Sequence, residues 1–163
     1  MTTAALSPRS VPQNFEQNTA PVVAGVDDST ASRAAISEAV KLARQLDAPI
    51  VFVYVRRGPA GVFGVPVYQQ RLTKAMARAD RVLDRALDAA ANAGVYAEGV
   101  ILEGSPKRRI AEFAHDRDAR LVVVGSRTRK LRRSVSSGVV RAAGRPVVVA
   151  KRRRRLAVAG DAV

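Results

Sequence analysis

The chain has 163 residues, 47% of them hydrophobic, with no cysteine and with 28 Lys plus Arg against 14 Asp plus Glu. That length and apolar content suit one folded domain and exclude a wholly disordered chain, and the missing cysteines exclude a disulfide scaffold, an iron–sulfur cluster and thiolate-bound zinc. The net charge of +14 is uneven: residues 1–118 hold 15 Lys/Arg and 13 Asp/Glu, whereas residues 119–160 hold 13 Lys/Arg and no acid.

Residues 1–20 are polar, carry Pro8 and Pro12, and are predicted as a loose arm. They lack the apolar core of a secretory signal, and no stretch of the chain reaches the ~18–20 apolar residues of a membrane span. A cytoplasmic chain without membrane insertion is the expectation. From Pro21, short β-branched runs alternate with helical stretches. Val22–Val26 reads as a buried strand ended by Asp27-Asp28-Ser29, and residues 30–47 place Ala35, Ile36, Ala39, Val40, Ala43 and Leu46 at helical spacing. Ile50–Val55 is too short and too β-branched for a helix and reads as the second strand. A loop is predicted over Arg56–Pro66 and a long helix over Val67–Ala93, with Leu72, Met76, Ala79, Leu83, Ala86 and Ala90 as its apolar stripe and Gly94 as its stop.

Val95–Leu102 reads as a third strand, and Ser105-Pro106 as the cap and first position of the next helix, whose Ile110, Phe113 and Ala114 face inward. Leu121–Val124 is a fourth strand ending at Gly125. A short helix is expected from about Ser134 to Ala143, a last strand over Pro146–Ala150, and a basic tail over Lys151–Val163. The domain proper is thus residues 21–150. Alternation of this kind implies an α/β fold, an open doubly wound parallel sheet of five strands with helices on both faces.

In such sheets ligands bind beyond the carboxyl ends of the strands, where strand order reverses. Two strand ends stand out, Asp27-Asp28-Ser29 and Gly125-Ser126-Arg127, together with Ser134, Ser136 and Ser137 in the first turn of the short helix. Hydroxyls and helix N–H groups suit phosphate oxygens, but ordinary turn and cap chemistry accounts for the same residues. Ser126 follows a strand without the G-x-S-x-G frame of a nucleophile elbow. His115 is the only histidine and reads as a solvated helix residue, which leaves neither a metal site nor a triad. Asp80, Asp84 and Asp88 alternate with Arg78, Arg81 and Arg85 and read as ion pairs on an exposed face. No catalytic constellation emerges, so the expectation is a protein that is not an enzyme.

Four blocks in order, VVAGVDDSTASRAAISEAVKLA, EGSPKRRIAEFA, LVVVGSR and SVSSGVVRAAGRPVVVA, resemble the universal stress protein family from about Val22 to Ala150. The resemblance implies a Rossmann-like sheet of order 3-2-1-4-5, a role in stress response, and a homodimer formed through the last strand at Val147, Val148 and Val149. In the ATP-binding branch an aspartate matching Asp27 contacts the nucleoside, and a backbone position falling near Val55 reads adenine. The phosphates lie in a loop of pattern G-x2-G-x9-G-[ST]. Gly125 and the following Ser126 and Arg127 match its start, and Ser134, Val135 and Ser136 match the stretch after its third glycine. Thr128 and Arg133 stand where the second and third glycines belong, and the loop is shortened. Side chains at those positions resist the turns glycine permits. Arg127, Arg129, Lys130, Arg132 and Arg133 offer cationic grips on a polyphosphate instead.

Two readings follow. One is a stress-response domain that binds ATP or a related adenine nucleotide weakly through this altered loop. The other is an electrostatic adaptor that contacts nucleic acid or an acidic partner through residues 127–155, including Lys151, Arg152, Arg153, Arg154 and Arg155.

Overall fold

Five short strands rich in valine and isoleucine form the sheet: β1 (Val22–Val26), β2 (Ile50–Arg56), β3 (Ala97–Glu103), β4 (Leu121–Gly125) and β5 (Val147–Ala150). β-branched side chains lose little freedom on a pleated surface, and sheets covered on both faces demand continuous apolar runs such as these. The computed structural model describes residues 20–57, 65–126, 139 and 142–151. Three helices complete the described elements: α1 (Thr30–Leu46), α2 (Val65–Asn92) and α3 (Pro106–Asp116). The sheet is parallel throughout, with strand order β3-β2-β1-β4-β5, as the family resemblance implies.

Side chains alternate across the sheet, which divides the core in two. Ile50 and Phe52 join Ala35, Ala39, Leu83 and Ala86 on the face covered by α1 and α2. Val51 and Val53 join Ile110, Ala111 and Ala114 on the face covered by α3, together with Val139 and Ala143. Phe52, Ile50 and Leu83 are among the largest fully buried side chains, and each contributes about 1.5–3 kcal/mol by leaving water.

Several boundaries differ from the sequence reading. β2 runs on through Arg56, which pairs with Glu103 of β3 both in register and as an ion pair. The α2 helix begins at Val65, so Pro66 lies in its first turn, where proline's missing N–H costs nothing. Ser105 occupies the cap position of α3, yet its side chain makes no capping hydrogen bond. β3 starts at Ala97 and β5 at Val147. Of the short helix expected over Ser134–Ala143 only the end is described: the Ala143 N–H donates to the Val139 carbonyl at 2.9 Å, and Gly144 follows at φ 57°. Among the described residues no helix is long and apolar enough to cross a membrane.

Candidate functional site

The sheet has a notch at its carboxyl edge. β1 pairs with β2 only as far as Val26 opposite Tyr54, whereas β2 continues beside β3 to Arg56. On its other side β1 pairs with β4 only to Gly25 opposite Val124. Past Val26 the chain turns at Asp27 into α1, so Asp27, Val55, Gly125 and Ser126 lie together where the strand order reverses. Lys151, which follows Ala150 of β5, lies at the same edge.

Backbone direction makes this notch polar. In a strand, successive residues aim their N–H and C=O groups to opposite sides. The Ile50 N–H donates to the Tyr96 carbonyl, and the Arg56 carbonyl accepts from Gly104, both on the β3 side. Val55 therefore directs its carbonyl toward β1, beyond the point where β1 has ended. The same logic holds across the notch. The N–H groups of Val122 and Ser126 donate toward β5, so Gly125 directs its carbonyl toward β1.

A web of short side chains holds Asp27 in place. One carboxylate oxygen accepts from the Ser29 N–H at 2.9 Å and from the Ser29 hydroxyl. The Asp27 N–H donates to Ser32 Oγ at 2.9 Å, and Ser29 Oγ caps α1 by accepting from the Ser32 N–H at 3.3 Å. Ser32 is the one buried polar residue of the described core, and this bond is the reason it is tolerated there. A carboxylate at the start of a helix also meets the positive end of the helix dipole.

Gly125 serves a packing role. A Cβ on it would fall 2.4 Å from the Ala31 carbonyl oxygen and 2.7 Å from its carbon, both backbone atoms of the first turn of α1. Its φ is not positive, so the absent side chain reflects this close approach and not a turn. The sequence reading assigned the glycine to ligand approach; the seating of α1 on the sheet is a further reason for glycine there.

Three further groups surround the notch. Tyr54 is partly buried, and burial raises its phenol pKa; Arg78 pulls it down, and Asp27 and Asp28 push it up. Arg78 and Arg85 of α2 reach Asp28 at 3.6 and 4.0 Å. Arg78 and Arg85 thus tie α2 to the β1–α1 turn. Asp80 keeps one carboxylate oxygen out of solvent with no hydrogen-bond partner. His115 is exposed beside Asp116, 3.5 Å away, as expected of a solvated helix residue. The sequence reading marked Asp28 at the strand end and read Arg78, Arg81 and Arg85 as ion pairs of an exposed face; it missed Tyr54 and the clustering of the α2 cations. The signal for that clustering was a 3-and-4 spacing of basic residues along α2, hidden in the near-neutral charge of residues 1–118.

The phosphate-loop candidates Arg127, Thr128, Arg129, Lys130, Arg132, Arg133, Ser134, Val135 and Ser136 lie outside the described residues, as do Arg152, Arg153, Arg154 and Arg155.

A family model, the Universal stress protein family, matches residues 19–151. The chain belongs to that family. Among solved structures, universal stress protein UspA from Lactobacillus plantarum is similar at 26% identity and TM-score 0.68, over 82% of this chain and 99% of that one. A universal stress protein from Archaeoglobus fulgidus in complex with dAMP aligns at 24% identity and TM-score 0.66, over 81% of this chain and 98% of that one. A family protein from Arabidopsis thaliana with AMP bound aligns at 21% identity and TM-score 0.61, over 81% and 92%. The last two likenesses speak for the fold alone. No curated protein sequence matches this universal stress protein family member.

Proposed function

We propose that this chain is a non-enzymatic, cytoplasmic stress-response protein that takes an adenine nucleotide into the notch between β1 and β4. The observation that carries the reading is the convergence there of the Asp27 carboxylate with two backbone carbonyls, those of Val55 and Gly125, aimed past the end of β1. A purine's exocyclic amine donates and so matches the Val55 carbonyl; ribose hydroxyls donate and so match Asp27. The universal stress proteins bound to dAMP and AMP support the ligand class. ATP is the larger member of that class, held by the cations of the 127–133 segment in place of a glycine nest. The same reading includes a homodimer formed along β5, which among the described strands pairs only with β4.

Calorimetric titration of the full chain with AMP, dAMP, ATP and GMP tests this. AMP binding is expected, with Asp27→Ala weakening it at least ten-fold. GMP, which presents a carbonyl where adenine presents its amine, is expected to bind at least ten-fold more weakly than AMP. If no adenine nucleotide gives heat and none co-purifies with fresh protein, the reading fails. Nucleic-acid binding that disappears when Arg152 to Arg155 become glutamine would favour the adaptor instead.

A further inference from the structure

A second concave surface opens beside the notch, between the end of β2 and α2, with a volume of about 570 Å³. Tyr54 and Val55 line it from the sheet, Ala75 and Ala77 from α2, and six cations complete the lining: Arg56, Arg57, Arg71, Lys74, Arg78 and Arg81. No acid lines it. Arg56 pairs with Glu103, and Arg78 shares Asp28 with Arg85. Arg57, Lys74 and Arg81 make no ion pair among the described residues.

The arrangement is built into α2. Positions 71, 74, 78, 81 and 85 repeat at 3- and 4-residue steps, so at 3.6 residues per turn all five cations fall within an arc of about 80° and extend along about 21 Å of helix. Asp80, Asp84 and Asp88 fall on a neighbouring arc. Like charges gathered in a concave site raise its potential well above that of the same charges spread over a surface. The volume lies in the range of small-molecule sites and is too small for a folded partner. Five of the six lining cations are arginine, whose planar fork matches phosphate oxygens in pairs.

We propose that this groove is an anion site separate from the notch, which holds a short run of phosphate groups with Lys74 and Arg81 as principal contacts and Tyr54 beside them. The phosphates belong either to a free polyphosphate chain or to the phosphate arm of a larger metabolite. The site does not depend on a nucleotide occupying the notch.

The experiment is calorimetric titration of the full chain with inorganic tripolyphosphate, and separately with inorganic phosphate, at low and physiological salt. Tripolyphosphate is expected to bind, to weaken with salt, and to exceed phosphate at least ten-fold in affinity. The double variant Lys74→Gln/Arg81→Gln is expected to lose at least ten-fold, whereas Lys74→Arg/Arg81→Lys, which keeps the charge, stays within about three-fold of the parent. Replacing Arg152 to Arg155 with glutamine is expected to change nothing beyond two-fold. Repeating the titration under saturating AMP should leave tripolyphosphate affinity unchanged. ATP titrated with the notch saturated by AMP separates the sources: tighter ATP than tripolyphosphate indicates a metabolite's phosphate arm, and the reverse a free chain. Equal affinity in the parent and the glutamine double variant, loss in the tail variant, or competition by AMP each overturns the proposal. So does an oligonucleotide that needs Lys74 and Arg81 while tripolyphosphate gives no heat. Failure of AMP to bind sinks the notch reading and leaves the groove result standing.

Discussion

Gly125 shows how one residue can carry a packing role beside the role read from its place at a strand end. A glycine ending a strand in this family points to a ligand, and the residue does sit at the notch. Yet the atoms that forbid a side chain are those of Ala31, in the protein's own helix. Gly125→Ala is therefore expected to cost about 1–3 kcal/mol in urea unfolding, because a helix backbone must move to admit the methyl group. Gly99→Ala serves as the comparison: its Cβ would meet Leu83 at 3.4 Å, ordinary contact, and stability should change little. Tyr54 carries the second prediction at this scale. Its burial holds the folded-state pKa above the unfolded one, so the neutral phenol's contribution is complete below about pH 10 and fades as pH rises through the folded value. Chemical denaturation across pH 8 to 11 should show stability falling at the alkaline end, and Tyr54→Phe should reduce that fall. The sequence marked Asp27 as a site residue through its strand-end position. It gave no sign of Tyr54, since only the sheet's register brings residue 54 beside residues 27 and 28.

Helix ends divide along the same line. Four helical segments close on a residue of positive φ: Asp47 after α1, Gly94 after α2, Asp118 after α3, and Gly144 after the segment ending at Ala143. The two glycines were readable as stops, because glycine alone enters that region without a steric cost. The two aspartates were not, since aspartate is as common at caps and turns as here. Asp47 sits at φ 47° and its N–H lies near the carbonyls of Ala43 and Arg44. Asp47→Ala is expected to destabilise by about 1 kcal/mol, and Asp47→Gly not to, as read by the midpoint of thermal unfolding. Strand positions were legible to within two residues because buried parallel strands are continuous apolar runs. The start of α2 was read two residues late, at Val67 instead of Val65, because Gly64 and Pro66 argue for loop, and Pro66 proves compatible with a first helical turn.

For the molecule as a whole, charge was legible in amount and not in placement. The sum over residues 1–118 suggests a neutral body, but folding gathers the cations of β2 and α2 on one side and leaves acids such as Asp84 on another. Pairwise repulsion within the groove is the cost of that segregation, and it is screened by salt. Thermal stability is accordingly expected to rise as sodium chloride is raised from low to physiological strength, and the Lys74→Gln/Arg81→Gln variant should show a smaller rise. Assembly is the other whole-molecule question. β5 is a four-residue edge strand whose Val147, Val148 and Val149 remain half-buried, and a bare apolar edge favours pairing with a second copy. Under the proposed dimer, sedimentation velocity should give twice the 17.4 kDa chain mass, and Val149→Arg should return the single-chain value. A parent that sediments as a monomer removes the dimer from the reading.

The contact between Gly125 and α1 also bears on descent. A lineage with no further use for a nucleotide would still be held to glycine at that position, because any larger residue would be eliminated through misfolding before loss of binding mattered. A glycine found there in a relative is thus a record of how the helix seats on the sheet. Inheritance of the ligand has to be traced at positions the fold leaves free to drift.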